Sequence, residues 1–262
     1  MHRLSPALLS AFCVLPLFAI AQTVSQPSLP TSDPQAISLA QKAVAALEAG
    51  ATISDVTLNA NVTWISGSDN ETGTGTFQAK GFSESRIYLN LSGGSRTDVR
   101  NISGGFPAGA WKKNGANAIA YAQHNCWADA SWFFPALSSL VQVTNSNFFF
   151  AYVGQEQHAG VSVQHIRVSQ FIALFPSPVS TTDFYLDVNS YLPLAVAVSL
   201  HPDNDMNTNI PSEIRFANYQ AVNGIQVPFH FQQLVDGTVN LDVIVTNAAF
   251  NTGLQDSQFT LQ

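Results

Sequence analysis

His124 and Cys126 lie two residues apart and are the nearest approach in this 262-residue chain to a nucleophile beside its base. A reactive thiolate needs a cation or base next to it, and a third group to orient that base. The sequence fixes no carboxylate beside the pair, and a lone thiol is more often a buried structural residue. As metal ligands the two supply only two of the three or four donors a site requires. A second polar cluster, His201-Pro202-Asp203-Asn204-Asp205-Met206-Asn207-Thr208-Asn209, spaces its side-chain oxygens like the start of a calcium loop. The glycine such a loop needs at its sixth place is Thr208 here, and the acidic residue of its twelfth place is Ile214. Asp203 and Asp205 therefore remain weak cation ligands in what reads as a solvated turn. Asp98, Asp183, Asp187 and Glu213 could serve a glycoside hydrolase in pairs, but nothing in the sequence brings two of them together. No Gly-x-Ser-x-Gly elbow, His-Glu-x-x-His, phosphate loop or dinucleotide fingerprint occurs. The residues point to a protein without catalysis, and they call for no cofactor.

What the chain has in quantity is phenylalanine, with 18 Phe against 6 Tyr and 4 Trp. Phe has no polar handle, so these rings either fill a core or line a pocket for an apolar ligand. The candidates for such a lining are Trp127, Trp132, Phe133, Phe134, Phe148, Phe150, Phe184, Phe216, Phe229 and Phe231. Residues 127–134 (WADASWFF) form the densest aromatic segment, which is either a lid over the open end of a sheet or an anchor that fixes an insertion. Composition narrows the field further. Charged residues are 10% and hydrophobic residues 46%, which argues against disorder. A net charge of −7 with no basic cluster argues against nucleic acid as a partner.

The elements that must position these rings can be read from spacing. Residues 1–21 carry Arg3, an uncharged apolar run and Ala19-Ile20-Ala21, the pattern of a signal peptide cleaved near Ala21. Cleavage would remove Cys13 and leave Cys126 alone, so no internal disulfide is expected. Residues 22–33 are Ser/Pro/Thr-rich and read as a flexible mature N-terminus. A helix follows, capped by Ser32 or Asp33 and stopped at Gly50, with Ile37, Ala40, Val44 and Leu47 as a narrow apolar stripe. A second helix is expected over about 130–143, where Phe133, Phe134, Leu137, Leu140 and Val141 keep helical spacing. Almost everything else alternates with period two and is cut by turn residues, including Asn223-Gly224 and Asp236-Gly237. Ile214 and Phe216, then Val227, Phe229 and Phe231, then Leu241, Val243 and Val245 each share one strand face. So many strands with two helices require a sheet that curls around them.

Phe184-Tyr185-Leu186-Asp187 followed by Tyr191-Leu192-Pro193-Leu194, the hairpin phrase over residues 216–228 (FANYQAVNGIQVP) and residues 254–259 (LQDSQF) resemble the lipoprotein-carrier (LolA/LolB-like) superfamily of bacterial envelope proteins. The element order extends the resemblance over most of residues 34–262. It implies a mainly β (α+β) single domain. Its centre is an incomplete β-barrel of about eleven antiparallel strands, with an N-terminal helix and a short helical insertion packed on its concave side. The family's carriers hold acyl chains in that cavity, which an arginine helps to close. Arg86, Arg96, Arg100, Arg167 and Arg215 are candidates by composition, and none is singled out by a motif.

The resulting expectation is an exported monomer of the periplasm or the secreted fraction. Its partner is a lipid or an acylated protein, with transient contact to a membrane or a membrane protein. An envelope-stress sensor of the same fold and a secreted hydrolase are the rival functions.

Overall fold

The structure is a computed structural model that describes residues 29–261. The expected leader and the mature N-terminus as far as residue 28 lie outside the described residues. The first element is the helix α1 (Pro34–Glu48). Asp33 caps it by accepting a hydrogen bond from the Gln35 amide, and Pro34 sits at its first position, where a missing N–H costs nothing. Its buried face is Ala36, Leu39, Ala40, Ala43 and Leu47. The stripe is thus rotated from the expected one: Ile37 and Val44 lie at its margin, only partly buried. Three alanines at the contact let the helix axis approach the sheet closely.

Thirteen strands follow, two more than expected. They are β1 (Asp55–Ser66), β2 (Asp69–Lys80), β3 (Glu84–Leu91), β4 (Gly94–Ser103), β5 (Phe106–Lys113) and β6 (Ile119–Ala120), then β7 (Phe148–His158), β8 (Val161–Gln170), β9 (Ser180–Asp187), β10 (Pro193–Leu200), β11 (Ile210–Val222), β12 (Ile225–Val235) and β13 (Thr238–Phe250). They form one curved, open antiparallel sheet in the order β6-β5-β4-β3-β2-β1-β13-β12-β11-β10-β9-β8-β7. Both halves are meanders, joined mostly by tight turns, with longer loops between β8 and β9 and between β10 and β11. Asn223-Gly224 and Asp236-Gly237 adopt positive φ at both positions, as two-residue hairpins require. Bulges at Asn59/Ala60, Tyr152/Gly154 and Gln233/Leu234 increase the local bend.

This order dictates the path of the middle of the chain. β6 ends at one edge of the sheet and β7 begins at the other, so residues 121–147 must cross the whole concave face. The crossing segment is not the helix expected over 130–143. It is irregular, with single 3-10 turns at Gln123–Trp127, Pro135–Leu137 and Ser139–Val141. Pro135 has no N–H to continue a helix. The Ser131 and Ser138 hydroxyls donate to the carbonyls of Leu137 and Pro135, which a helix would have claimed.

The expected alternation on the last strands holds. Ile214, Phe216, Val227, Phe231, Leu241, Val243 and Val245 are buried on the concave face, and Phe229 is partly buried against the same core. That core also takes Val56, Leu58, Phe77, Ile87, Leu89, Phe148, Phe150, Ile166 and Phe184, together with α1 and the crossing segment. Close approach is extreme at Gly75, where an added Cβ would lie 2.8 Å from the Phe77 ring and 2.9 Å from a Val62 methyl. Gly75→Ala should therefore lower the unfolding free energy by about 1–3 kcal/mol through overpacking, measurable by urea titration.

A second, smaller cluster lies on the convex face. Phe259 is fully buried outside the principal core. Asn101 and Arg86 donate to the carbonyls of Phe259 and Gln258, which seats the C-terminal segment on β3 and β4. The segment is fastened at its start by Asp55, 3% exposed, whose carboxylate accepts from the amides of Thr252 (2.8 Å) and Gly253 (3.0 Å).

Candidate functional site

The concave bowl is largely occupied by the protein itself. Phe133, Phe134, Leu137 and Leu140 of the crossing segment are buried in it. Phe133 packs edge-on to Phe77 (5.4 Å between ring centroids) and Trp132 (5.7 Å), and Phe231 meets Phe77 at 5.3 Å. Of the ten rings expected to line a cavity, Phe133, Phe134, Phe148, Phe150, Phe184, Phe216 and Phe231 are thus buried core residues, and Phe229 packs beside them. Trp132 differs. It borders two recesses left at the open end, one of about 210 Å³ against Ile87, Leu89 and Leu241, the other of about 70 Å³ against Val196, Val198 and Ile214. Trp127 borders a third, on the rim. Sites for drug-sized ligands run to about 300–1,000 Å³, so the closed bowl has less room than such a ligand needs.

The mouth of the larger recess is built by β4. Residues two apart on a strand share a face, and Arg96, Asp98 and Arg100 pair across to Leu89, Ile87 and Ser85, which places all three on the concave side. The Arg96 guanidinium lies between two indoles, 4.4 Å from Trp64 and 4.8 Å from Trp111, a cation–π sandwich that holds the charge at the bowl's lip. Asp98 accepts a hydrogen bond from the Tyr121 hydroxyl. Burial pushes its carboxyl above the usual range, against the opposing pull of Arg100, Tyr121 and Arg96. Burial and the neighbouring Asp98 likewise raise the Tyr121 phenol. Arg100 stacks on Tyr121 (4.6 Å) and donates through Nη1 to the Asn125 carbonyl (2.8 Å). The next anchor is Asn125 itself, which exchanges hydrogen bonds of 2.7 and 3.0 Å with the His201 backbone. Farther in, Asp129 accepts from the Ser139 amide (2.8 Å) and hydroxyl (2.9 Å). The crossing segment is therefore fastened to the sheet and its loops by a few contacts, those of Asn125 with Arg100 and His201 and the Ala130 amide donating to the Phe82 carbonyl (3.1 Å), while Asp129 ties together two turns of the segment itself.

His124 and Cys126 lie on the first 3-10 turn, at the start of the crossing segment. Burial raises the Cys126 thiol, the opposite of what a nucleophile needs. Its sulfur contacts the Ala122 carbonyl (3.6 Å), and the His124 ring packs edge-on to His201. Asp205 spends its carboxylate on the Asn207 amide and the Thr208 hydroxyl, closing an exposed turn beside Asp203. Among the described residues no three His, Cys, Asp or Glu side chains gather as metal ligands.

The convex face holds an array that sequence reasoning missed. Tyr185 stacks on His158 at 3.8 Å and lies 4.6 Å from His165. His165 contacts Glu156 and Asp183, each at 2.9 Å, and Arg167 grips Asp183 with two nitrogens. Burial, with Asp183 and Glu156 nearby, pushes the Tyr185 phenol up to about 12. A polar recess of about 560 Å³ opens beside this array and takes in Asp183, Glu213, Arg167, Arg215, His124 and His201. Asp183 and Glu213 face each other across the small Ala197, one strand apart on each side. Both are bound by arginines, Asp183 to Arg167 and Glu213 to Arg215. Asp187 is committed to its own turn, accepting from the Asn189 and Ser190 amides.

A curved antiparallel sheet closed on its concave side by one N-terminal helix and a crossing segment is the LolA/LolB-like fold. Three solved structures are similar to this chain. A DUF1329 family protein from Desulfovibrio piger matches with a TM-score of 0.57 at 11% identity, over 88% of this chain and 98% of that one. A proposed outer membrane lipoprotein-sorting protein domain from Vibrio parahaemolyticus matches at 0.55 and 14% identity, over 86% and 96%. A LolA superfamily protein from Nitrosomonas europaea matches at 0.52 and 10% identity, over 86% and 97%. No protein-family profile and no curated protein sequence matches the chain. The likeness thus lies in the fold and not in the residues. No described helix is long and apolar enough to cross a membrane.

Proposed function

We propose that this is an exported envelope protein that carries an apolar ligand, a lipid or the acyl chains of a lipoprotein, on the concave face of its sheet and does no chemistry on it. The observation that carries this reading is the way the bowl is filled. An apolar surface spanning much of a 13-stranded sheet is covered by a segment held through Arg100, Asn125 and the Ala130 amide. Displacing residues 127–140 would uncover Phe77, Phe184, Phe216 and Phe231, and an acyl chain could replace the rings of Phe133 and Phe134 with little net change in buried apolar area. Each methylene buried contributes about 0.8 kcal/mol, so two chains would bind tightly. Trp132, at the boundary of both inner recesses, would meet the ligand first. Arg100 takes the part of the closing arginine, because its guanidinium reaches from the sheet to the covering segment.

Native mass spectrometry of the protein purified from a bacterial periplasm tests the reading. The expected result is a bound mass in the phospholipid or fatty-acid range, lost on solvent extraction. A protein that stays apo after incubation with lipid would refute it. Arg100→Ala should loosen the cover and raise the rate of fluorescent fatty-acid exchange about tenfold or more, the effect of losing one charge-assisted hydrogen bond. An unchanged exchange rate would remove Arg100 from the closing role.

A further inference from the structure

The rim of the bowl carries a patch that the carrier reading does not use. The loop between β8 and β9 exposes Leu174 (70%) and Phe175 (52%), and the neighbouring β4–β5 turn exposes Ile102 (49%) and Phe106 (38%). The two flank one groove of about 220 Å³, lined by Ile172 on one side, by Ile102 and Pro107 on the other and by Trp127 of the crossing segment. Charge is absent from both: residues 170–182 and residues 101–111 contain no Asp, Glu, Lys or Arg. The loop is fixed at its base, where the Phe171 amide donates to the Asn147 carbonyl and the Val179 amide to the Gln170 carbonyl, both at 2.8 Å. Phe149 packs edge-on to Phe171 at 5.1 Å and steadies the same base. The tip is therefore a built projection that offers its largest apolar side chains to the outside.

We propose that this rim docks on a phospholipid bilayer surface, with Leu174 and Phe175 entering the acyl boundary and Phe106 and Ile102 resting beside them. A folded protein partner would need a surface complementary to two separate tips and the groove between them. A fluid lipid layer accommodates such a shape without complementarity. An uncharged patch on a protein of net charge −7 suits a zwitterionic layer, where insertion and not attraction to anionic headgroups drives binding. The placement also serves carriage, a point that rests on the function proposed above: Trp127 and Ala128 join the rim groove to the covering segment, so docking would bring the cover to the membrane from which cargo is taken.

The test is flotation of the periplasm-purified protein with phosphatidylcholine vesicles, at about 0.1 M and 0.5 M NaCl, where the screening length falls from about 10 Å to under 5 Å. Binding should be the same at both salt concentrations. Leu174→Asp and Phe175→Ser, each at a solvent-exposed position and checked for an unchanged melting curve, should each weaken partitioning at least tenfold. Ile244→Asp, 45% exposed on the convex face of β13, should leave it unaltered. Failure of the wild-type protein to float, binding that vanishes in high salt, or equal binding by the Leu174 and Phe175 variants would overturn the proposal. So would a dimer in light scattering that Leu174→Asp dissolves, because a second copy would then be the occupant. Cargo is read separately by the native mass, so loss of docking with lipid still bound would leave carriage standing.

Discussion

Phe133→Ala should lower the unfolding free energy by about 3–5 kcal/mol, the range for removing a fully buried aromatic ring. The ring is wholly inaccessible and touches Phe77 on β2, Phe231 on β12 and its own neighbour Trp132. Each edge-on contact adds to the area term, and the site has little freedom to collapse, because Phe77 and Phe231 are fixed in the sheet. Urea or guanidinium titration of the variant gives the number directly. A loss below about 1 kcal/mol would mean that the crossing segment is dispensable to the folded state. The same truncation should ease ligand uptake, since the ring that an acyl chain must displace is gone. Stability and carriage are thus expected to move in opposite directions at this one position.

The second large effect is one of pH. Burial pushes the Asp129 carboxyl up to about 6, and the hydrogen bonds from the Ser139 amide and hydroxyl offset only some of that cost. An acid whose folded value exceeds its unfolded value of 3.8 binds its proton more tightly in the folded state. Its stabilising contribution is complete below pH 3.8 and is lost as pH rises through about 6. The shift corresponds to about 3 kcal/mol. Asp129→Asn keeps an acceptor for Ser139 and has no charge to bury. The variant should therefore gain on the wild-type protein by about 2–3 kcal/mol between pH 4 and pH 7. Denaturation free energies at the two pH values, for both proteins, decide the matter. Parallel profiles would show that Asp129 is solvated in the folded state. Because Asp129 ties together two turns of the covering segment, acid should also stabilise that segment's own conformation.

The strands were legible because one face of an antiparallel sheet meets a core and the other meets water, and period two follows at once. Leu241, Val243 and Val245 against Asp242 show it most plainly. The turns were legible because Asn223-Gly224 and Asp236-Gly237 are residue types that tolerate positive φ. The false helix over 130–143 has a physical cause. Residues 130 and 131 and 133–140 are buried on every side, so the spacing of Phe133, Leu137 and Leu140 reports no helical face. A proline and three serines then redirect the backbone. The aromatic lining was half legible. Alternation assigned Phe216 and Phe231 to the correct face, but it could not say that another stretch of the same chain would occupy that face. The convex array of His158, His165, Tyr185 and Asp183 left no local trace, because its members come from three strands and meet only through register. Arg96, Asp98 and Arg100 did leave one. Three charged residues at alternate positions in a charge-poor chain must share a side, and on a β-meander that side is either wet or functional.

The seam between β1 and β13 sets the order in which the molecule can assemble. Val56 pairs with Phe250, so the first and last strands meet across almost the whole described sequence, whereas every other pair of neighbours in the sheet is consecutive in the chain, joined by a turn or a loop of at most nine residues. Two ribbons, one before the crossing segment and one after it, can each zip from local contacts as the chain emerges. Neither can be shut until the final strand arrives, and until then β1 presents an unpaired edge that another chain could take. The C-terminal residues after Phe250, strapped to Asp55 at the foot of β1, act as the latch on that last closure.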